Sequence, residues 1–277
     1  SLLESNPGDP SHCSGIAAWD AYSEDGTLIF GRNWDMHRES MARYMRYLGV
    51  VIYKPSDGQN AVATVHPLGM HFVETAMNDH HLFLELNNGE QADPNYYPDR
   101  YDSSVFLFDL LLQASTMDEL DALFRTKPAD CSYIIQAADT QVAYSYERPT
   151  IGIRRRSEEQ YPGLLVAYNS FVPPYPPEWE GIINPPYPLE QDARREHMLT
   201  LANSDRFKGK FNVETMKDFM DIPYEEGGAV SYLTVYQVIA VPADFTFYVR
   251  AMEYSGWEKV DLKPFFASSS AQEWQRY

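Results

Sequence analysis

The sequence predicts an α+β protein, built as a layered sandwich of mostly antiparallel sheets with helices on their faces. Blocks of residues with strand-like alternation are separated by blocks with helical spacing of apolar residues. This order differs from the strict strand–helix alternation of a doubly wound parallel sheet. The composition agrees, because 277 residues with 44% hydrophobic and 14% aromatic content can bury one large core. We expect a single domain over residues 13–277.

The first predicted element is a hairpin that begins at Cys13. Residues 13–19 are small and apolar, Asp25-Gly26 marks a turn, and residues 27–30 resume an extended apolar run. The apolar strand is then expected to stop at the polar group Gly31-Arg32-Asn33-Trp34-Asp35. Such residues are unfavourable to bury without partners, and hairpin pairing brings them back toward Cys13. Arg32 and Asp35 are therefore predicted to flank the sulfur.

The middle of the chain predicts two helices between strands. Residues 82–86 alternate like a short strand, and a polar loop follows over residues 87–101. Helical spacing then runs from Ser103 or Ser104 to Ala114, and Thr116 with Glu119 predicts a capping box for a second helix through Phe124. The strands that follow share an extended apolar pattern: residues 133–138, 141–147 and 164–167.

The last third of the chain predicts helices followed by long strands. Residues 172–188 are so rich in Pro, Tyr and Trp that a rigid aromatic loop near a pocket mouth is expected. The regular elements after this loop are expected in the following order: helices at 191–203 and 213–220, then strands at 230–241 and 245–253 joined at 242–244.

The charge of the chain excludes some partners. A formal net charge of −18 argues against nucleic acid, because phosphate binding needs a basic surface. The basic cluster Arg154-Arg155-Arg156 lies next to Glu158 and is predicted to form a solvated turn. No apolar run approaches the roughly 18 residues of a membrane span. No basic start followed by an apolar stretch is found in residues 1–10, and the sequence favours neither a cytoplasmic nor an exported location.

Cysteine and histidine spacing predicts neither a disulfide framework nor a metal site. The two cysteines, Cys13 and Cys131, allow either one bridge or two thiols with different roles, and both alternatives stay open. Cys131 precedes an apolar strand and is predicted to be a buried core residue. His80-His81 lacks a third ligand at metal spacing, and His66 with His71 is no better, so no metal or cofactor is expected.

Several segments along the chain match one known family. They are the opening Cys13-Ser14-Gly15-Ile16-Ala17, then Asp25-Gly26 and Gly31-Arg32-Asn33-Trp34-Asp35, then Leu86-Asn87-Asn88, Tyr168-Asn169-Ser170 and Asp192-Ala193-Arg194-Arg195. Together they resemble the choloylglycine hydrolase and penicillin-acyltransferase-like (acid ceramidase-like) N-terminal-nucleophile (Ntn) hydrolases, over nearly the whole chain from Cys13 onward. Ser14 stands where the family usually has Thr. The usual Ser-Arg pairing is absent, and the register between Arg194 and Arg195 is ambiguous.

The resemblance implies a fold and a chemistry. The fold is an αββα sandwich, with two stacked, mostly antiparallel sheets between helix layers. The nucleophile is the Cys13 thiol, and its own α-amino group is the general base once the His12–Cys13 bond has been cleaved by the chain itself. Residues 1–12 are then a short propeptide or a residual upstream segment.

The remaining site residues follow from the same resemblance. Arg32 favours the thiolate, and Asp35 holds the amine. The Asn169 side-chain amide and a backbone N–H near Asn87 donate to the oxyanion, and Arg194 is the sixth expected site residue. Judged without the family, Asn87 and Asn169 are ordinary turn residues as readily as site residues. Glu147 and Arg194 are more often surface or structural ion-pair residues.

The predicted reaction is hydrolysis of a linear, non-peptide amide C–N bond in a small N-acylated molecule with an apolar acyl group. Transfer of the acyl group to an amine is an alternative within the same family. A non-catalytic binding protein, or dormant precursor, is an alternative from another class. A papain-like protease that pairs Cys13 with His197 is a further rival, although it requires Cys13 to start a helix. The sequence is compatible with a homo-oligomer.

Overall fold

The structure is a computed structural model that describes residues 13–70, 73–89, 92–183 and 193–267. Within these ranges, two antiparallel sheets stack face to face, and helices cover the outer face of each. The predicted αββα sandwich is confirmed.

The described residues form thirteen strands and six α-helices. The strands are β1 (Ser14–Ala18), β2 (Ile29–Asp35), β3 (Leu48–Tyr53), β4 (Val62–Pro67), β5 (Thr75–Asn78), β6 (Phe83–Asn88), β7 (Tyr133–Ala138), β8 (Ala143–Arg148), β9 (Arg154–Arg156), β10 (Leu164–Ala167), β11 (Thr234–Val241), β12 (Thr246–Ala251) and β13 (Glu258–Asp261). The helices are α1 (Arg38–Met45), α2 (Ser103–Gln113), α3 (Met117–Phe124), α4 (Arg194–Ala202), α5 (Val213–Met220) and α6 (Lys263–Ala267).

The two sheets differ in how their strands are connected. The first sheet has the order β10-β1-β2-β11-β12-β13, so its centre combines the first hairpin with strands from the far end of the chain. The second sheet has the order β3-β4-β5-β6-β7-β8-β9, a meander in which every strand pairs with its neighbours in sequence. The chain therefore crosses between the sheets only after β2 and after β9.

Three apolar layers hold the sandwich together. The central layer lies between the sheets and includes Phe30 and Trp34 from the first and Met77 and Phe83 from the second. A second layer packs α4 and α5 on the outer face of the first sheet, and a third packs α2 and α3 on the outer face of the second. Because strand side chains alternate between faces, strands such as β1 and β10 contribute residues to both the central and the second layer.

Most predicted elements are found close to their predicted positions. The bounds of α3, α5, β7 and β10 agree with the prediction, whereas β11 begins at Thr234 rather than at residue 230. The Thr116 hydroxyl accepts from the Glu119 backbone N–H at 3.2 Å, as predicted, but the Glu119 carboxylate accepts from the Ser115 backbone N–H instead of that of Thr116. Residues 184–188 of the aromatic loop and 191–192 of the predicted helix lie outside the described residues.

The described part of the aromatic loop packs inward. Trp179 is buried together with Phe171 and Ile183 in a small apolar cluster. These residues stabilise the loop, and no contact of theirs with Cys13 is seen. The expectation that the loop forms a pocket mouth stays a prediction.

The prediction that the first hairpin's strand stops at Gly31 is wrong. β2 continues through Asp35, and all seven of its residues are buried. The reason is that β2 pairs with β1 on one side and with β11 on the other, so its backbone is fully hydrogen-bonded. The polar side chains Arg32 and Asn33 then point to opposite faces and find partners there.

The prediction of a solvated turn at Arg154–Arg156 is also wrong. These residues form β9, paired with β8, and both Arg154 and Arg156 form ion pairs with the buried Glu147. Arg156 also pairs with Glu158 at 2.6 Å. The basic run therefore neutralises a buried carboxylate. Glu147 is a structural ion-pair residue, which agrees with what its residue type alone predicts.

The two sheets approach one another closely at Gly15. A Cβ atom built on this residue would lie 2.2 Å from Glu85 Oε1 and equally close to the end of the Gln136 side chain. No side chain larger than hydrogen fits there without displacing these buried groups. Gly15 therefore permits strand β1 to cover Glu85.

We expect Gly15→Ala to lower the free energy of unfolding by about 2 kcal/mol or more, because overpacking a dense core forces side chains off their rotamers. Gly256→Ala is the matched control, since a Cβ atom there meets nothing within 4 Å. Urea denaturation of both variants measures the difference. Equal stabilities would show that the sheets are not closely packed at Gly15.

Candidate active site

Cys13 lies immediately before β1, on the face of the first sheet that points to the second. Its thiol donates toward the Asp35 backbone carbonyl, with Sγ and O 3.8 Å apart. Arg32 Nη2 lies 3.9 Å from the same Sγ. The hairpin register, in which Gly15 is opposite Arg32, produces this arrangement. The structure therefore brings Cys13, Arg32 and Asp35 together, as the sequence predicts, and their roles in catalysis stay predictions.

The guanidinium of Arg32 is completely buried and is held by groups of the second sheet. Nη1 donates to the Glu74 carbonyl at 2.6 Å and to Glu85 Oε2 at 3.1 Å. Nη2 donates to the Leu86 carbonyl at 2.8 Å. Three of its terminal N–H groups are thus committed, which leaves the second hydrogen on Nη2 for the Cys13 sulfur.

Asp35 is buried at the end of β2. Its Oδ2 accepts from the Ser231 hydroxyl at 3.4 Å, and its Oδ1 has no hydrogen-bond partner among the described residues. Burial raises the pKa of this carboxyl from 3.8 to about 7, against the opposing effects of a hydrogen bond from Thr234 and the nearby charge of Arg194. The site therefore contains a buried acceptor oxygen that is ready for a donor.

Arg194 and Asn169 lie on the other side of Cys13. Arg194, the first residue of α4, donates from Nη1 to the Cys13 carbonyl at 3.1 Å and from Nη2 to Asn169 Oδ1 at 3.4 Å. The Asn169 amide nitrogen donates to the Asn88 carbonyl at 2.7 Å. Because both ends of this amide are held, its plane is fixed and one N–H remains for another acceptor.

The ambiguity between Arg194 and Arg195 is resolved by position. Arg194 is fully buried beside Cys13, whereas Arg195 points away and pairs with Glu158 at 2.6 Å. Arg194 is therefore a buried residue, although arginine is usually found at the surface. It is buried because the start of α4 packs against β10 and the loop that carries Asn169.

Asn87 lies near the end of β6, on the face that points to the first sheet. Its amide nitrogen donates to Glu85 Oε1 at 3.1 Å, and its Oδ1 has no partner in the described part of the chain. The Asn87 side chain is fully buried. It therefore presents a buried oxygen to its surroundings, whereas its nitrogen is already occupied.

Sequence reasoning missed two acidic residues of this region, Glu74 and Glu85. Glu85 is buried on β6 and pairs with Arg32, and Glu74 Oε2 lies 3.8 Å from Arg32 Nη2 and accepts from the Trp34 indole N–H. The Glu74 side chain keeps 24% of its surface exposed, so it is the more open of the two. A single Glu inside the apolar run Leu82–Leu86 was the available signal for Glu85, since an isolated charge in a buried strand needs a partner.

Burial also governs the state of the thiol in the intact chain. Loss of solvent raises the pKa of Cys13 to about 12, although the Arg32 charge opposes the rise. At neutral pH the thiol is therefore protonated, and a base is needed before it becomes a nucleophile.

The structure also bears on the alternatives. Cys13 and Cys131 are both buried and form no disulfide with each other, and Cys131 is the core residue that was predicted. Cys13 leads into a strand rather than a helix, which removes the premise of a papain-like site. The His197 ring contacts Tyr224, with ring centroids 5.0 Å apart. Within the described ranges, no three His, Cys, Asp or Glu side chains are grouped as metal ligands.

Comparison with solved structures supports the fold. The conjugated bile acid hydrolase of Clostridium perfringens, as a variant, matches with a TM-score of 0.63 and 13% identity, covering 91% of this chain and 93% of that chain. An N-acylethanolamine-hydrolyzing acid amidase ortholog of Caenorhabditis elegans matches with a TM-score of 0.57 and 17% identity, covering 83% and 93%. Penicillin V acylase of Agrobacterium tumefaciens gives 0.59 and 12%, covering 91% and 86%.

The likeness is one of structure rather than of sequence. No protein-family model matches the chain, and no curated protein sequence matches it. Among the helices in the described ranges, none has the length and apolar character needed to cross a bilayer. At identities of this size the comparisons establish the fold, and the fold is the Ntn-hydrolase sandwich that the resemblance implied.

The raised pKa of Asp35 predicts how stability depends on pH. A carboxyl group whose pKa rises from 3.8 to about 7 on folding contributes stability that is complete below its ordinary value and is lost as pH rises through about 7. In a Cys13→Ala background, chosen to keep the chain intact, the melting temperature should fall between about pH 4 and about pH 7. Asp35→Asn should reduce this decline, and the part due to Glu85, whose pKa burial also raises to about 7, should remain.

Asp25→Asn is the control for this prediction. Asp25 is an exposed turn residue whose pKa is lowered by hydrogen bonds from Thr27. Its substitution should leave the decline in place. A decline that survives Asp35→Asn unchanged would mean that Asp35 is not the buried acid responsible.

Proposed function

We propose that this chain is an Ntn cysteine hydrolase that cleaves a linear amide C–N bond in a small N-acylated substrate. The observation that carries the proposal is the grouping around one residue at the start of a strand. The Cys13 thiol lies within 4 Å of Arg32 Nη2, and Arg194 joins the Cys13 carbonyl to Asn169. The amide-hydrolysing activities named for the structurally similar proteins support the same class of reaction.

The proposed base is the α-amino group of Cys13. A free α-amine has a pKa of about 7.7 to 8.0, so at neutral to mildly basic pH part of it is unprotonated and able to take the thiol proton. The buried oxygen Oδ1 of Asp35 lacks a partner among the described residues and would accept from the resulting ammonium. Arg32 then stabilises the thiolate.

The proposed acyl transfer proceeds through a thioester. The Cys13 sulfur attacks the amide carbonyl, and the oxyanion accepts from the free N–H of Asn169 and from a backbone N–H near Asn87. As the C–N bond breaks, the leaving amine takes the proton held by the Cys13 ammonium. Water then attacks the thioester, transfers a proton to the same amine and releases the acid.

Maturation uses the same groups. In the intact chain the amine of Cys13 is part of the peptide bond to His12, so it cannot act as a base. We propose that the thiol attacks the His12 carbonyl and that the C–N bond breaks as the acyl group moves to sulfur, so that the thiol proton ends on the liberated Cys13 nitrogen. Water then hydrolyses this thioester, which leaves a carboxyl group on residue 12 and restores the thiol. Residues 1–12 are released, and Cys13 becomes the N-terminal residue.

The proposed substrate has an apolar acyl group. The proteins with similar structures are named for an N-acylethanolamine, a conjugated bile acid and penicillin V. Each of these names describes a small molecule with an acylated amine. Hydrolysis and acyl transfer both proceed through the thioester. They differ in the acceptor that attacks it, which is water in hydrolysis and an amine in transfer.

Intact mass and N-terminal sequencing of the purified protein test maturation. We expect a fragment that begins Cys-Ser-Gly, and we expect Cys13→Ala to keep residue 1 and to hydrolyse no member of a panel of N-acyl amides. Cys13→Ser retains a weaker nucleophile and should process slowly. An uncleaved wild-type chain whose Cys13 resists native alkylation would favour the binding-protein alternative. Adding amines to the assay tests acyl transfer, because transfer to an amine forms a new amide.

The oxyanion proposal predicts a loss of turnover with an intact fold. Asn169→Ala should lower kcat by about 10²-fold, the effect of losing one oxyanion donor. Circular dichroism and thermal melting check that the fold persists, and N-terminal sequencing checks that Cys13 is free. A kcat within twofold of wild type in a processed variant would exclude Asn169 as the donor.

The two adjacent arginines offer a matched pair. Arg194→Lys should lower turnover by about tenfold or more, because two separate guanidinium nitrogens bond the Cys13 carbonyl and Asn169, and the single nitrogen of lysine lacks this fork. Arg195→Lys replaces a neighbour that pairs with Glu158 instead, and it should have a smaller effect. The comparison uses kcat of processed enzyme. Equal losses would place Arg194 among the structural arginines.

A further inference from the structure

Glu85 is a buried carboxylate that receives only donors. Arg32 Nη1 donates to its Oε2 at 3.1 Å, and the Asn87 amide nitrogen donates to its Oε1 at 3.1 Å. The amide of Gln136, oriented with its nitrogen toward Glu85, donates to the same Oε1 and accepts from the Ala167 backbone N–H at 2.7 Å. Burial raises the pKa of this carboxyl to about 7, and the Arg32 charge opposes the rise, so the ionised form is the one that its three donors stabilise. An ionised carboxylate accepts and cannot donate, so each of these neighbours directs a nitrogen toward it.

The first consequence concerns Arg32. Its other fixed contacts are two backbone carbonyls, so Glu85 is the fully buried charge that balances the guanidinium. A buried cation without such a partner is strongly destabilised. Glu85 therefore sets both the position of Arg32 and the strength of the positive field that the guanidinium directs at the Cys13 sulfur.

The second consequence concerns Asn87. Because its nitrogen is held by Glu85, its oxygen is the free end of the amide, and Oδ1 is buried without a partner in the described chain. The backbone before and after Asn87 lies at the Cys13 site. Arg32 Nη2 donates to the Leu86 carbonyl and lies 3.9 Å from the Cys13 sulfur. Asn169, which Arg194 joins to the Cys13 carbonyl, donates to the Asn88 carbonyl.

From these contacts we propose that Glu85 is the positioning residue of the Cys13 site. One of its oxygens holds Arg32 beside the thiol, and the other turns the Asn87 amide so that an acceptor oxygen, and not a donor nitrogen, faces the reacting centre. That oxygen is positioned to accept a hydrogen bond from an N–H group, either of the freed Cys13 amine or of the substrate amide. The inference rests on the proposed function for its readout of turnover.

The decisive experiment exchanges donor and acceptor between positions 85 and 87. The amide introduced by Glu85→Gln keeps one oxygen for Arg32 but turns an NH₂ group toward Asn87 and Gln136. The Asn87 amide must then flip and direct its nitrogen at the site, whereas the effect on Gln136 is the same in the single and the double variant. We expect kcat to fall by about tenfold or more. Adding Asn87→Asp restores an acceptor on both sides, and the double variant Glu85→Gln/Asn87→Asp should recover most of the lost turnover.

A second readout follows the thiol itself. Glu85→Gln removes a negative charge beside Arg32, so the pH midpoint of Cys13 alkylation in the processed enzyme should fall by about one unit. Turnover and thiol acidity thus change in opposite senses. Loosening of the core that exposes the thiol would lower its pKa as well, so the recovery in the double variant, which loosening does not produce, separates the two explanations. Thermal melting verifies that the variants fold.

Glu74→Gln is the matched control. It removes a carboxylate that also lies near Arg32, whereas the Asn87 amide donates to Glu85 instead. It should lower the alkylation midpoint in the same sense, and Asn87→Asp should give no recovery in its background. Recovery that appears with Glu74→Gln, or fails to appear with Glu85→Gln, would overturn the inference.

Asn87→Ala tests the same division of roles if Glu85→Gln does not fold. It removes the acceptor but leaves the Glu85–Arg32 pair, so turnover should fall while the alkylation midpoint stays within about 0.2 units. A shifted midpoint would count against the assigned roles.

Secondary and tertiary amide substrates then identify the N–H donor. If Asn87 binds the substrate N–H, Asn87→Ala reduces the preference for secondary amides, and if it binds the Cys13 amine, the pH profile moves instead.

The outcomes separate this inference from the proposed function. A wild-type enzyme that hydrolyses amides, with an unchanged Glu85→Gln variant, would overturn the positioning role and leave the function standing. A chain that hydrolyses no amide, yet shows the Glu85-dependent shift in Cys13 alkylation, would overturn the proposed function and retain the effect of Glu85 on Arg32.

Discussion

The ion pair between Arg32 and Glu85 is the interaction on which the arrangement of this molecule depends. Both side chains are fully buried, and they belong to different sheets, so the pair joins the two halves of the sandwich directly beneath Cys13. Removing one partner of such a pair is expected to destabilise by several kcal/mol, because the other charge is then left unpaired in the core. The sheets therefore cannot slide at this point, and Gly15 is what lets them approach closely enough to form the contact.

The charges around Cys13 in the intact chain are not balanced. Three carboxylates, Asp35, Glu74 and Glu85, surround the region, and two guanidiniums, Arg32 and Arg194, oppose them. Burial raises the pKa of Asp35 to about 7, and the nearby charges of Arg194 and Arg32 only partly oppose the rise. Under the proposed function, an ammonium group on liberated Cys13 supplies a further positive charge beside the unpartnered oxygen of Asp35. Cleavage would then stabilise the ionised site in addition to releasing the base.

Local sequence patterns predict what depends on neighbours in the chain. The hairpin that brings Arg32 and Asp35 to Cys13 is predictable because its turn and its two strands lie within residues 13–35. The same patterns do not reveal Glu85, because its partners Arg32 and Gln136 come from other strands and meet it only when the sheets stack. The prediction of a solvated turn at the basic run beginning at Arg154 was wrong for a related reason. The charges of this run are paired with Glu147, a buried residue of the preceding strand, and not solvated by water.

The ion pairs of Glu147 fix the backbone around Asn169, and Glu85 fixes the side chain of Asn87 in a similar way. Glu147 Oε1 accepts from the Val172 backbone N–H at 3.0 Å, so it holds the segment that follows Asn169. Arg156, paired with Glu147, also donates to the Val166 carbonyl at 2.8 Å, just before Asn169. The amide is thus flanked on both sides by backbone fixed to a buried ion cluster. Rigid placement of both asparagines therefore depends on buried carboxylates in the second sheet, because hydrocarbon packing alone cannot fix the direction in which an amide points.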